Sequence, residues 1–514
     1  MNIYLYGPSG SGKSTVGQLL ARELNWRFID LDVEIVSGSG QSIPDIFNKK
    51  GEAYFRMLEE NCLKEIALRD ECVIALGGGS LVDAQNRALL QKNDPVILLS
   101  AGIETLLERL QQDSNQRPLL AENVHHRLEK LLEQRKAHYD NYKLRIATNK
   151  MTPTQIVWEI QLLTGCYRVG GMGKEYSVQV RSNGLNEVGK QLNKMGIGGP
   201  VVVASDNCVG PLYGTSLVEQ LSAEGFQVSL MMIQEGDDHK DIDAVGQLWH
   251  AFLEAGLDRK STVLALGGGV VGDLVGFAAA TYLRGVNWIN FPTSVLAMVD
   301  ASLGGKTGAN LAQGKNLIGS FHAPVSVMAD TSTLATLPER HRRNGLAEVI
   351  KHGVIADPVL FSMCAEGWES VEEEWDAIIK RSIGVKVKVI QKDPFEGGVR
   401  QSLNLGHTIG HGIEKASGYK LLHGEAVAVG MVIEARIAES LGLAETGLAD
   451  QIRAVLEGVG LPVDIPAGFD RRQIVHYMQY DKKKSNGKVR FALPAAIGDV
   501  KVGISVDDVD KFLI

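Results

Sequence analysis

The sequence predicts an α/β protein: an N-terminal domain with a parallel sheet flanked by helices, then a second α/β domain, then a C-terminal α-helical domain. Three observations predict this. Apolar strands run straight into glycine turns and helices at NIYLYGPSGSGKSTVGQLL, CVIALGGGSL and STVLALGGGVVGDLVGF, the pattern of parallel strands joined by crossover helices. The stretch GCYRVGGMGK at 165–174 breaks the periodicity between two such blocks, as a linker does. From about Ala329 onward helical patterns dominate, punctuated by PER, DPF and LGLP. With 514 residues there is material for two or more cores. The expected divisions are 1–164, a linker at 165–176, then 177–328 and 329–514.

Composition narrows the function classes. A chain with 44% hydrophobic and 22% charged residues is of soluble globular type. Its net charge of −8 argues against a nucleic-acid or membrane-surface binder, while local basic clusters leave room for small anionic substrates. Five scattered cysteines form no CxxC and are odd in number, which suggests reduced thiols and a cytoplasmic location. The longest apolar region, near Thr262 to Leu283, is interrupted by Asp273 and glycines, so no membrane span is expected. Motif sequence beginning almost at Met1 leads to the expectation of no signal peptide.

In the first block, Gly7, Gly12, Lys13 and Ser14 satisfy GxxxxGK[ST] between a strand and a helix. There the backbone amides of Gly10, Ser11, Gly12 and Thr15 would wrap phosphates, Lys13 would reach the transferred phosphate and Ser14 would hold Mg²⁺. WRFIDLDVEI reads as a strand ending in Asp30 and Asp32, and CVIALGGGSL as one running into Gly77, Gly78 and Gly79. QQDSNQRPLLAEN carries Arg117 and suits a lid over a transferring group. Arg56 and Arg135 fall on helical stretches, where either alone would be a surface charge. In order and spacing, GPSGSGKST, FIDLDV, YFR, GGGS, RPLL and QRKAHY resemble the shikimate kinase family over Met1 to about Thr164. The resemblance implies ATP with Mg²⁺ and phosphorylation of shikimate at its 3-position. It places shikimate on Asp32, Arg56, Gly78 and Arg135, Mg²⁺ near Asp30, and Arg117 over the phosphates, an arrangement that suits phosphoryl transfer.

The second block continues strand and loop alternation through GPVVVASD, ending in Asp206, a candidate acceptor for ribose hydroxyls, and FQVSLMMIQEGDDHK. Gly267, Gly269 and Gly272 satisfy GxGxxG, but no acidic residue follows about twenty positions on, so the dinucleotide fingerprint is incomplete. Asp300, Lys306, Lys315 and Asn316 lie in glycine-rich, loop-like sequence, a good place for ligand contacts. The stretch from Arg400 to Glu425 gathers His407, His411 and His423, with Asn404 at helical spacing after Arg400. His407 and His411 share a helix face at i, i+4. Such a pair alone is more often a set of polar helix positions. Three histidines among glycines shift the balance toward a metal site of imidazoles plus one carboxylate, for which Glu348 is a candidate. HTIGH lacks the glutamate of a metalloprotease motif.

Taken together, EGDDHK, GGGVVGD, YLRG, DASLGGKTG, GKNLIG, NGLAEVIKHG, RQSLNLGHTIGH and LLHGEAVAVGM resemble 3-dehydroquinate synthase from about Ser177 to the C-terminus. The resemblance implies a zinc (or cobalt) ion on Glu348, His407 and His423. His411, which spacing alone would pair with His407, would then serve substrate. It places NAD along Asp206, Asp237, Lys240, Gly269, Val270, Val271, Gly272, Asp273, Thr293, Ser294, Lys306, Lys315 and Thr333. Arg284, Asp300, Lys306, Asn316, Lys351, Lys386, Arg400, Asn404 and the basic run at Lys482 would meet the substrate. One departure is EGDDHK, where the family more often has DGEQ-like sequence around Asp237. The implied reaction converts 3-deoxy-D-arabino-heptulosonate 7-phosphate to 3-dehydroquinate with phosphate release, in a homodimer formed through this part. Two rivals are an alcohol or glycerol dehydrogenase, which would need few cations, and a nucleotide-switched binding protein, which would not need the shikimate-matching arginines.

Overall fold

The computed structural model describes residues 1–90, 94–112, 124–171, 173–482 and 489–513. The chain forms two compact units, Met1–Thr164 and Gly165–Ile514.

In the first unit β1 (Ile3–Tyr6), β2 (Arg27–Asp30), β3 (Cys72–Ala75), β4 (Val96–Ser100) and β5 (Arg145–Ala147) form a wholly parallel sheet, ordered β2-β3-β1-β4-β5. The central strands IYLY and CVIA are buried along their whole length, as strands covered by helices on both faces must be. The helix Lys13–Leu24 starts directly after the glycine loop. Strand β2 stops at Asp30, two residues earlier than the sequence suggests. Asp30 caps the helix Leu31–Ser39 by accepting from Asp32 N, so Asp32 sits in that helix's first turn. An aspartate bonds its neighbour's amide more readily than it continues a strand. Arg117 and the expected lid lie outside the described residues.

The second unit is built on seven strands. They are β6 (Cys166–Val169), β7 (Tyr176–Val180), β8 (Val201–Asp206), β9 (Val228–Ile233), β10 (Thr262–Gly267), β11 (Asn287–Pro292) and, after the hairpin β12 (Lys306–Leu311) and β13 (Gly314–Phe321), β14 (Ser326–Ala329). Their order is β6-β7-β14-β11-β10-β8-β9, parallel except at β6. One face packs on Val245, Leu248, Leu274 and Val275, the other on Val188, Leu192, Leu217 and Leu221.

Two expectations are corrected here. The segment 165–176 is not all linker, because Cys166–Val169 pairs antiparallel with β7. Tyr167 and Val169 are buried, and Tyr167 OH donates to Lys380 O at 2.7 Å. The loop-like sequence at 306–321 is the β12–β13 hairpin, because glycines at 308 and 319 face each other where a Cβ would meet strand backbone at 2.4 and 2.1 Å. The helical C-terminal part ends in a second hairpin, β15 (Arg490–Ala496) with β16 (Asp499–Ser505). The stretches expected as 177–328 and 329–514 belong to one compact unit. Among the described residues no helix is long and apolar enough to cross a membrane.

Candidate functional site

Each unit carries its own cluster of chemistry-bearing residues. In the first, a cleft of about 1030 Å³ is lined by the Gly10–Gly12 loop, Lys13, Ser14, Thr15, Asp30, Asp32, Arg56, Gly78 and Arg135. Gly7 holds φ at 138°, and a Cβ there would lie 2.1 Å from Leu99 O, so only glycine permits this loop to turn against the sheet. Gly12 caps the Lys13 helix without a side chain, which leaves the helix's first amides open to an anion. Lys13 Nζ donates to the carbonyls of Gly7 and Pro8, each at 2.9 Å, and Ser14 Oγ to Asp30 Oδ2 at 2.6 Å. Arg56 pairs with buried Glu59 at 2.7 Å. Arg56 and Arg135 converge on Gly79, where a Cβ would lie 3.1 and 2.9 Å from their guanidinium nitrogens. Gly78 O accepts from Tyr139 OH at 2.8 Å and from Tyr6 OH at 3.3 Å, which orients the glycine turn. Glu59 and Tyr6 lie outside every motif, and Tyr139, the last residue of QRKAHY, was given no role from the sequence.

In the second unit Glu348, on the helix Glu339–Ala356, lies wholly buried between two helix starts. His407 is the first residue of the helix His407–Ala416, and His423 the first of His423–Ser440. Each presents Nε2 at 3.5 Å from Glu348 Oε1. Lys351 forms an ion pair with Oε2, yet neither Glu348 oxygen has a hydrogen bond in good geometry. Two imidazoles and a carboxylate aimed at one point form a donor set for a borderline cation. Ligand bonds of about 2.0–2.1 Å imply tetrahedral ligand separations of about 3.3–3.4 Å, so the 3.5 Å spacings fit such an ion. Burial opposes the Glu348 charge, but Lys351, His407 and His423 outweigh it and hold its carboxyl well below the usual range.

His423 Nδ1 lies 3.4 Å from Glu414 Oε2. Burial opposes its charge, yet the facing carboxylates of Glu348 and Glu414 push the imidazole up to about 9. Glu414 was not singled out from the sequence, although it follows His411 at i+3, and its carboxylate faces the His423 ring nitrogen opposite the one that faces Glu348. His411 is exposed, its ring 5.2 Å from that of His407 and 5.8 Å from that of His423.

Around this centre the fold gathers cations from distant sequence. Lys386 bonds the carboxylate of Asp300 and its carbonyl, and Lys351 donates to Leu403 O at 2.8 Å. Both lysines and Arg400 are buried. Burial opposes the Asp300 charge, but Lys386 outweighs it and brings the carboxyl down to about 2. Lys306 and Asn404 both reach Glu396, at 3.0 and 3.2 Å. Lys240 joins Asp273 and Asn316, each at 2.5 Å. Lys315 joins Asp237 at 2.7 Å and Glu414 at 3.1 Å, linking the hairpin to the helix His407–Ala416.

Gly268 starts the helix Gly269–Thr281 without a side-chain cap, so the amides at Gly269, Val270 and Val271 can receive a pyrophosphate. Gly272 lies against Asn290, and Thr293 N donates to Gly267 O at 3.0 Å. Ser294 Oγ accepts from Ala297 N at 3.3 Å. Asp206 Oδ1 accepts from the amides of Cys208 and Val209, and Thr333 Oγ1 donates to Asp330 O. Arg284 is not part of the buried cluster. It is exposed in a strained turn, with φ of 49° at Leu283 and 67° at Arg284.

Both units resemble known proteins. The shikimate kinase family matches residues 9–163, the N-terminal part of 3-dehydroquinate synthase matches 230–344, and its C-terminal part matches 345–484. A 3-dehydroquinate synthase from Synechocystis sp. is 44% identical over 340 residues, 65% of this chain and 94% of that protein. A 2-deoxy-scyllo-inosose synthase, solved with carbaglucose-6-phosphate, NAD⁺ and Co²⁺, is 25% identical with a TM-score of 0.62, covering 68% of this chain and 99% of the other. A 2-epi-5-epi-valiolone synthase from Streptomyces hygroscopicus, solved with NAD⁺ and Zn²⁺, is 28% identical with a TM-score of 0.61, covering 67% and 97%. The chain belongs to the 3-dehydroquinate synthase family and carries a shikimate kinase domain fused ahead of it.

Proposed function

We propose that the two clusters are independent active sites of one shikimate-pathway enzyme, a homodimer through its synthase part. The first phosphorylates shikimate from ATP with Mg²⁺. Its loop amides and Lys13 cradle the phosphates, while Ser14 and Asp30, already hydrogen-bonded at 2.6 Å, hold the ion. Arg56, Arg135 and Gly78 orient the shikimate carboxylate and hydroxyls, and Asp32, which lines the same cleft, accepts the proton of the attacking hydroxyl.

The second site converts the heptulosonate phosphate to 3-dehydroquinate. Glu348, His407 and His423 would hold a divalent ion that supplies polarisation of a substrate hydroxyl, and bound NAD would supply reversible hydride chemistry. Asp206, Asp237, Lys240, Asp273, Thr293, Ser294, Lys315, Thr333 and the Gly269–Gly272 amides seat the cofactor. Lys306, Asn316, Arg400 and Asn404 bind the anionic groups, with Arg284 contributed across the dimer. Lys351 and Lys386 stabilise charge in the dry interior beside Glu348 and Asp300. His411, on the open side of the two ligand histidines, exchanges a proton with substrate at a ring nitrogen.

The observation that carries this reading is that two buried cations, Lys351 paired with Glu348 and Lys386 close enough to feel its charge, stand at the Glu348–His407–His423 cluster. A dehydrogenase of neutral polyols would have no use for them. The test is to assay the purified chain for phosphate release with trace NAD and for ATP-dependent shikimate phosphorylation. Chelation should abolish phosphate release, and zinc or cobalt should restore it. Stoichiometric NADH from glycerol without phosphate release would replace this reading with the dehydrogenase.

A further inference from the structure

Glu434 is a wholly buried carboxylate that takes no part in the reaction outlined above. It lies on the helix His423–Ser440, on one stripe with His423, Val427 and Gly430, spaced i, i+4, i+7 and i+11. That stripe presses on the start of the helix His407–Ala416. A Cβ on Gly430 would come within 2.0 Å of Gly406 O, and one on Gly406 within 2.7 Å of Val427 O. The His407 helix begins at Gly406, in left-handed backbone at φ 79°, with no side chain of its own to cap its first amides. Glu434 supplies the missing cap from the neighbouring helix, for Gly406 N donates to Glu434 Oε2 at 2.5 Å. Burial pushes the Glu434 carboxyl up to about 8, against the pull of the Gly406, Ile409 and Thr408 amides. An acceptor oxygen faces Gly406 N in either protonation state.

We propose that Glu434 is a positioning residue of the metal centre, whose buried oxygen ties the start of the His407 helix to the His423 helix and so fixes the spacing of the two ligand imidazoles. A metal ion bound at about 2 Å tolerates little play in its ligands, and two histidines at the starts of separate helices have no shared backbone to hold them in register. The cap provides that register at the residue next to His407. The inference rests on the metal reading of Glu348, His407 and His423.

The test uses the full-length chain stripped of metal, then titrated with zinc and with cobalt against a competing chelator. E434L removes the acceptor oxygen, and E434Q keeps one. Metal affinity should fall by about tenfold to a hundredfold in E434L, the usual effect of losing a group that orients a ligand. The visible spectrum of the cobalt-loaded protein should change with it, NAD affinity should hold, and E434Q should recover wild-type affinity and spectrum. A lowered melting temperature in E434L with unchanged metal affinity and cobalt spectrum would make Glu434 a plain helix cap and overturn the proposal. If E434L does not fold, E434D, which withdraws the oxygen by one methylene, is read in the same way. Wild-type protein that bound neither ion would overturn the metal reading itself, a result distinct from equal binding by wild type and variant.

Discussion

Lys13 Nζ is held over the phosphate loop by the carbonyls of Gly7 and Pro8, close to where a transferred phosphoryl group would gain charge. Lys13→Met keeps the length of the side chain and removes the ammonium. It should lower kcat for shikimate phosphorylation by about 10²–10³-fold, as loss of one donor to a developing charge does. Phosphate release from the heptulosonate phosphate should be unchanged, and a parallel loss of both activities in folded protein would refute the assignment. His352, which follows Lys351 on the helix of Glu348, carries a different consequence. It is wholly buried, with Nδ1 2.8 Å from Ser382 Oγ. Burial, and then the charge of Lys351, bring its pKa down to about 3. An unfolded imidazole takes its proton near pH 6.5. Between those values the unfolded chain binds one more proton, so stability falls as pH falls, by about 1.4 kcal/mol per unit from this group. Unfolding measured from pH 7 to 4 on metal-free protein should show that slope reduced in His352→Gln. An identical slope would mean that other groups set the acid sensitivity.

At the level of elements, the synthase site depends on how closely two helices approach. The His407 and His423 helices meet through Gly406, Gly410 and Gly430, with backbone against backbone. Gly430→Ala would place a methyl 2.0 Å from Gly406 O, so the helices must part or the chain must strain. The expected cost is about 1–3 kcal/mol of stability, the usual range for overpacking a tight core, accompanied by weaker metal retention. Chemical denaturation with and without zinc measures both, and a fully stable, metal-retaining alanine variant would show that the contact is slack. The β12–β13 hairpin matters in the same way. It carries Lys315 to Asp237 and Glu414, and Asn316 to Lys240, so one element bridges the expected cofactor groups and the helix of His407.

For the whole molecule, each sheet closes within its own unit, and no strand pair joins one unit to the other among the described residues. Thr164 ends the helix that begins at Pro153, and β6 begins at Cys166, so a cut at 164/165 severs no ladder. Residues 1–164 and 165–514 expressed as separate chains should each fold and keep their one activity, with kcat unchanged. Loss of synthase activity in a folded, metal-loaded 165–514 chain would show that the kinase domain supports it. A shorter chain begun at Ser177, the start of the family resemblance, should instead lose stability, because it deletes β6 and the buried Tyr167 with its bond to Lys380.

The stretches that were legible in the sequence are those whose geometry is set by near neighbours. Gly7 to Ser14 forms a phosphate loop because glycine backbone freedom and a following helix suffice for it. His407 and His411 share a face because a helix repeats every 3.6 residues. The strands IYLY, VVVAS and TVLALG showed themselves as unbroken apolar runs, the mark of burial on both faces. Tertiary structure alone decided what depends on partners far along the chain. Strand β6 exists through its pairing with β7, and Lys306, Lys315 and Asn316 lie on a hairpin rather than a loop because facing glycines let two backbones close. Residue identity nominated Glu348, but its meeting with His407 and His423 was set by the packing of three helices. Glu59 and Glu434 have no motif to reveal them, since a buried polar group is specified by the groups that surround it in space rather than by those beside it in sequence.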